Sequence, residues 1–217
     1  MDISSLLQAL PPEVIYAVVG LVVGVESLGI PLPGETTLIG AALISVHPHA
    51  PIATLWVGIA AFVGAVLGDS IGYTVGRRMG PSLFTKLGRR FPRHLSPDHI
   101  AYAEHLVSRY GMGAVFGGRF VALLRIVAGP LAGSLRMHYP RFFAANAIGA
   151  AAWAGGITLL VATLGKVAHE YVAGATWGLL AIAIVGGIAL SHYVGKSFQR
   201  RVADFTRERA EAATARP

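Results

Sequence analysis

Four charged side chains stand in stretches apolar enough for a membrane interior: Glu26, Glu35, Arg119 and Arg125. Asp69, in GDSIGYTVGR, is a fifth. A charge at mid-bilayer costs roughly 2.5–3.5 kcal/mol on insertion scales. Four isolated charges would cost on the order of 10 kcal/mol, comparable with the stability of a whole domain. They are therefore expected to pair, or to share a hydrated hollow. Glu26 and Glu35 against Arg119 and Arg125 balance to zero. The two arginines lie six residues apart, a rise of about 9 Å in a continuous helix. A bend between them would aim both guanidiniums at one point. Arginine's planar fork of donors suits phosphate or carboxylate, so the chemistry indicated is capture of an anionic headgroup. Glu26 and Glu35 would exchange protons or supply counter-charge. Asp69 stands between a pocket role and a helix-packing anchor. The plainer alternative for the other four is a set of buried salt bridges that hold the hairpins together.

The elements that must position these groups are membrane elements. The 217-residue chain is 54% hydrophobic and 13% charged, with a mean hydropathy of +0.60. A soluble domain carries about 25% charged residues. A spanning helix needs about 20 mostly apolar residues. By that measure 14–30, 52–75, 142–164 and 172–194 read as spans. Two further stretches, 31–46 and 111–135, are apolar but interrupted. The first opens with PLPGE, and the second holds both arginines, several glycines and Pro130. Broken backbone at membrane depth is tolerated only where protein or a watery cavity surrounds it. Both stretches therefore read as re-entrant hairpins. Pro31, Pro33 and Gly34 shape the first, and Gly129, Pro130 and Gly133 shape the second. Backbone amides freed near Pro33-Gly34 and Gly129-Pro130 would assist anion binding. The alternatives are an outer loop with a surface helix for 31–46, and a full span with snorkelling arginines for 111–135.

Charge patterning orients these elements. The basic connection 77–109 and the basic tail 196–217 belong on the cytoplasmic side, and the nearly neutral 165–171 belongs outside. Span 52–75 then runs inward, so both termini are expected inside. The first hairpin enters from outside and the second from the cytoplasm, an inverted repeat of the kind transporters use. Between the halves, SPDHIAYAEHLVSRYG (96–111) reads as an interfacial amphipathic helix. Ser96 is its cap, Pro97 opens it, and Ile100, Ala103, Leu106, Val107 and Tyr110 share one face. The fold class expected is thus an all-α integral membrane protein. It would have about four spans, two opposed hairpins, one domain over 1–195 and a basic tail expected to fray. Gly20/Gly24 and Gly72/Gly76 suit helix packing within a protomer or between protomers of a homo-oligomer.

The net charge of +7 sits on membrane flanks, so nucleic acid is not the expected partner; anionic lipid headgroups suit it better. There is no cysteine, which removes disulfides and thiolate chemistry. The histidines lack convincing ligand spacing, so no metal and no cofactor are expected.

ESLGIPLPGE (26–35), GDSIGYTVGRRMG (68–80), FGGRFVALLRIVAGPLAG (116–133) and N-x-x-G-A-x-x-W (146–153) together resemble the DedA family, bacterial relatives of the VTT-domain lipid scramblases. The resemblance covers about residues 13–195. It implies two opposed re-entrant hairpins, resemblance to secondary transporters, and, for several members, return of undecaprenyl phosphate across the bacterial inner membrane. The membrane acids and arginines required in studied members correspond to Glu26, Glu35, Arg119 and Arg125, with Asp69 less directly matched. One departure is Ala122, where many relatives carry proline.

The leading expectation is therefore a multi-pass inner-membrane translocase for a lipid phosphate. Arg119 and Arg125 would hold the headgroup, and Glu26, Glu35 and Asp69 would handle protons or counter-charge. A proton-coupled carrier for a small anion or drug, and a general phospholipid scramblase, are the alternatives. A membrane phosphatase is disfavoured, because no K-x6-R-P, P-S-G-H or S-R-x5-H-x3-D arrangement occurs; the protein is not expected to be an enzyme. A non-transporting scaffold leaves the intramembrane charges as salt bridges alone.

Overall fold

The computed structural model describes residues 11–30, 32–47, 50–80, 83–84, 97–170, 193, 196–207 and 211. Among them all regular structure is helical: α1 (Pro12–Ser27), α2 (Gly34–Ser45), α3 (Thr54–Met79), α4 (Pro97–Tyr110), α5 (Met112–Gly118), α6 (Ala122–Ser134) and α7 (Tyr139–Glu170), then α8 over 196–207. Two of these helices have segments long and apolar enough to cross a membrane, Thr54–Met79 and Tyr139–Leu164. At 26 residues α3 is about 39 Å long, against a hydrocarbon core of about 30 Å. Leu21, Leu67, Ile148 and Leu159 each expose more than half of their surface, as suits a lipid-facing wall rather than a water-facing one.

The direction of α1 follows from glycines that let backbones approach. A Cβ on Gly20 would stand 3.1 Å from the Ala60 carbonyl oxygen, and one on Gly24 would stand 3.1 Å from that of Gly64. A Cβ on Gly68 would overlap the Gly24 carbonyl and press on Ser27. Ascending numbers match ascending numbers, so α1 runs parallel to α3. The residue-12 end of α1 therefore lies level with Thr54, where the Ala53 amide donates to the Tyr16 hydroxyl at 2.8 Å. Gly29, at φ 109, takes the left-handed turn that stops α1. Pro33 precedes α2, which returns to the same end, where Ser45 Oγ lies 2.7 Å from Thr54 Oγ1.

This corrects two expectations. Residues 31–46 are not a hairpin in themselves; their described part holds a single helix, α2, which follows the turn at Leu28-Gly29 and pairs with α1 as its other arm. Residues 14–30 are not a separate span, because the 16-residue α1 is about 24 Å long and ends at that turn. The start of α1 then lies at the end of the molecule opposite Arg77, Arg78 and Met79, not beside them. Pro31 and, apart from Tyr193, the span expected over 172–194 lie outside the described residues.

The second pair opens the other way. A Cβ on Gly129 would stand 2.7 Å from the Asp69 carbonyl oxygen, and one on Gly133 would overlap that of Tyr73. Hence α6 runs parallel to α3, toward Met79. Its bend from α5 falls at 119–121, between the arginines, and Gly118 faces Leu124 and Ala128 across it. The chain does not break at Gly129-Pro130: α6 continues through Pro130. The ring of Pro130 faces Gly72, and its carbonyl lies where Gly76 leaves room. Ala122 is the first residue of α6, the helix position that proline also favours, so this departure from the common motif leaves the bend in place.

Helix α7 then runs antiparallel to α3, from Tyr139 beside Tyr73 (ring centroids 5.3 Å apart) to Thr158 beside Gly58. Two helix–turn–helix pairs open at opposite ends of the molecule, and each is followed by a long helix. Val19, Val23, Leu38, Ala61, Ala65 and Trp153 form the core where the first pair meets α3 and α7. The Gly20/Gly24 and Gly72/Gly76 pairs are used within the protomer.

Helix α4 forms where the amphipathic helix was expected, over Pro97–Tyr110. It buries Tyr102, Ala103 and Val107, while Tyr110 is exposed. The tail does not fray at once. Phe198 and Val202 of α8 are buried against Tyr102, an apolar face that the high charge of the tail obscured.

Candidate functional site

Arg125 sits in the second turn of α6, beside the turn of the first helix pair. Its Nη2 donates to Glu26 Oε1 at 2.7 Å, and both side chains are buried. Its Nη1 lies 3.7 Å from Glu35 Oε2, but Glu35 is 54% exposed. The guanidinium carbon stands 5.0 Å from the centroid of the Trp153 ring on α7, an arrangement that attracts a cation. One arginine thus contacts α1, α2 and α7 at once. Gly34 has a local reason to be glycine: a Cβ there would overlap the Glu26 carboxylate. Any larger residue would force the Glu26 carboxylate to shift.

Arg119 caps α5 at the bend. Its Nη2 donates to Asp69 Oδ2, to Asn146 Oδ1 at 2.5 Å and to the Ala65 carbonyl at 3.4 Å, and its Nε donates to Asn146 Oδ1 at 3.2 Å. Arg119, Asp69 and Asn146 expose 2%, 3% and 1% of their surface. Three of their buried polar atoms, Arg119 Nη1, Asp69 Oδ1 and Asn146 Nδ2, have no hydrogen-bond partner. Such groups are costly unless something satisfies them.

All five sequence candidates are therefore drawn to the region where the two turns approach each other along the middle of α3. The expected convergence of both guanidiniums on one point is replaced by a division. Arg119 is committed to Asp69, and Arg125 to Glu26 and, loosely, Glu35. Asp69 is a charge partner as well as a packing residue. Pro33, Gly34, Gly129, Pro130 and Gly133 act in the turn and in close helix packing. Among the described residues, no group of three His, Asp or Glu side chains is placed to hold a metal.

The VTT domain family matches residues 32–163. The chain belongs to the VTT-domain family. That match includes Glu35, Asp69, Arg119 and Arg125; Glu26 precedes it. Relatives extend the likeness to nearly the whole VTT-domain chain. An uncharacterized membrane protein of Mycobacterium tuberculosis (strain H37Rv) is 52% identical over 213 residues, covering 98% of both chains. One of Mycobacterium leprae is 51% identical over 208 residues, covering 96% of this chain and 97% of its own. One of Synechocystis is 39% identical over 204 residues, covering 90% and 91%. No solved structure matches the chain.

Sequence reasoning gave no role to Asn146 or Trp153, although both stood in the motif N-x-x-G-A-x-x-W. The available signal was Asn146 itself, an amide in an apolar span, which needs a buried partner. Gly29 was also missed; its left-handed conformation is invisible until the turn is seen.

Proposed function

We propose that this VTT-domain protein is an inner-membrane translocase for a lipid phosphate, of which undecaprenyl phosphate is the example that the family resemblance suggests. One observation carries the reading: buried Arg125 is held firmly by Glu26 and only loosely by half-exposed Glu35. An anionic headgroup arriving from the exposed side replaces Glu35 without stripping Arg125 of its buried partner. The guanidinium then offers its remaining donors to phosphate. Arg119, with Nη1 unpaired, supplies further positive potential beside it.

Charge balance favours proton coupling. Glu26, Glu35 and Asp69 against Arg119 and Arg125 leave a formal charge of −1 when all are ionised. A phosphate anion adds to that charge, so its arrival and protonation of a carboxylate favour one another. In the bilayer α3 and α7 span. The α1–α2 and α5–α6 pairs enter from opposite faces, and rocking of one pair against the other alternates access, as in inverted-repeat transporters. With Arg77 and Arg78 at the end of α3 on the cytoplasmic face, the start of α1 lies outside and α8 inside. The polyprenyl tail stays in lipid beside the exposed leucines. No covalent chemistry is required, so the protein is not an enzyme.

Proteoliposomes test this. Wild type is expected to move a fluorescent polyprenyl phosphate between leaflets, and Arg125→Ala to stop it while the protein remains inserted. Equal movement of phosphatidylcholine would indicate a general scramblase. Flux of a small anion without lipid movement would indicate a solute carrier.

A further inference from the structure

At the Met79 end of α3, away from Arg125 and Arg119, a cleft of about 480 Å³ opens between α3 and the start of α7. Tyr73, Thr74, Arg77, Arg136, His138 and Tyr139 line it, and no lining residue is acidic. Arg77 Nη1 donates to the Tyr73 hydroxyl at 2.9 Å, and that hydroxyl donates to the Met137 carbonyl. The Arg77 guanidinium is thereby fixed in the wall of the cleft.

The second arginine is there against the preference of its backbone. Helix α6 ends with the Met137 amide donating to the Ala132 carbonyl at 2.9 Å and the Arg136 amide donating to the Gly133 carbonyl at 3.0 Å. These are the paired bonds of a Schellman helix end, whose left-handed residue is usually glycine. Here it is Arg136, at φ 55, the one non-glycine with positive φ among the described residues. Backbone strain retained at a particular side chain points to a use for that side chain. What Arg136 gains is a place beside Arg77 and His138 in an acid-free cleft. The cleft lies where a membrane-long helix ends, and Tyr73 and Tyr139 are residues of the kind that favour the membrane–water boundary.

We propose that this cleft binds the phosphate of an anionic lipid headgroup at the membrane interface, with Arg77 and Arg136 as the principal ligands and His138 and Tyr139 as further donors. It requires no movement of lipid across the bilayer, so it stands apart from the translocation reading.

The test uses the full-length protein in detergent and native mass spectrometry with dioctanoyl phosphatidic acid, dioctanoyl phosphatidylcholine and inorganic phosphate. Arg136→Gly removes the charge and relieves the backbone. It is expected to melt at or above the wild-type temperature, yet to bind phosphatidic acid about fivefold more weakly, the factor one arginine contributes near an anionic headgroup. Arg77→Gln is expected to weaken binding similarly, and it serves as the test if Arg136→Gly does not fold. Phosphatidylcholine is expected to bind wild type more weakly than phosphatidic acid. Unchanged phosphatidic acid binding in either folded variant, or equal binding of both lipids, would overturn the proposal. Displacement by inorganic phosphate at equal affinity would make the ligand a soluble phosphate and overturn the lipid assignment.

Discussion

Arg125 on α6 donates to Glu26 on α1 across 2.7 Å and 99 residues of sequence. The bond ties the turn of one helix pair to the turn region of the other, within a core built from four helices. A buried ion pair at that place has two consequences. It fixes how the oppositely opening pairs sit against each other, and it keeps a positive group ready where lipid is the surrounding solvent.

Breaking that pair from one side leaves an uncompensated buried charge. Glu26→Gln or Arg125→Gln is expected to lower stability by about 3–5 kcal/mol. The double variant should recover part of the loss, giving a coupling above about 0.5 kcal/mol in a double-mutant cycle. Unfolding in mild detergent, followed by tryptophan fluorescence, measures it. Additive losses would mean that the two groups do not support one another.

Glu35 should behave differently, because it is half exposed and 3.7 Å from Arg125. Glu35→Gln is expected to cost less than about 1 kcal/mol while altering transport. Without the Glu35 charge, Arg125 keeps Glu26 and exposes its other donors, so the variant should take up a polyprenyl phosphate headgroup more readily than wild type in the proteoliposome assay. Uptake equal to wild type would remove Glu35 from the site.

At the second cluster, Asp69→Asn is expected to cost about 3–5 kcal/mol by leaving Arg119 without its charge partner. Asn146→Ala removes a neutral acceptor and should cost about 1–3 kcal/mol. The same unfolding assay ranks the two, and a reversed order would show that Arg119 depends on the amide rather than on the carboxylate.

The close packing of α1 on α3 makes a separate claim. Gly64→Ala places a methyl group on the Gly20 carbonyl and is expected to cost about 1–3 kcal/mol. Gly40→Ala in α2 meets nothing within 4 Å and should be neutral or stabilising by up to about 1 kcal/mol. Equal effects at the two sites would place α1 elsewhere.

Much of this arrangement was legible in the sequence, because burying charge is expensive. Glu26, Glu35, Asp69, Arg119 and Arg125 declared themselves by standing in apolar surroundings, and proline and glycine marked the turns. Their pairing was not legible. Whether Arg119 meets Glu35 or Asp69 depends on how far helices slide past one another, which Gly24, Gly64 and Gly129 decide through backbone contact. The direction of α1 was hidden for a related reason. No lysine or arginine precedes Arg77, so charge patterning had nothing to weigh at that end. Pro130 misled because a proline facing Gly72 can sit inside a helix whose missing hydrogen bond is offset by tight packing.

That reassigned direction can be read directly, because the native chain has no cysteine. Single cysteines at Glu13 and Ala53 should react with a membrane-impermeant maleimide from one side of the membrane, and one at Arg78 from the other. Labelling of Glu13 and Arg78 positions from the same side would restore the original orientation.

The central claim is that the Arg125 charge handles the headgroup, beyond joining helices. The most direct measurement is leaflet-to-leaflet movement of a fluorescent polyprenyl phosphate by the Glu26→Gln/Arg125→Gln double variant, in proteoliposomes where its insertion and melting have been verified. The account predicts a folded protein with movement no faster than in protein-free vesicles. Movement at the wild-type rate would contradict it, leaving the ion pair as a structural tie and placing the headgroup elsewhere.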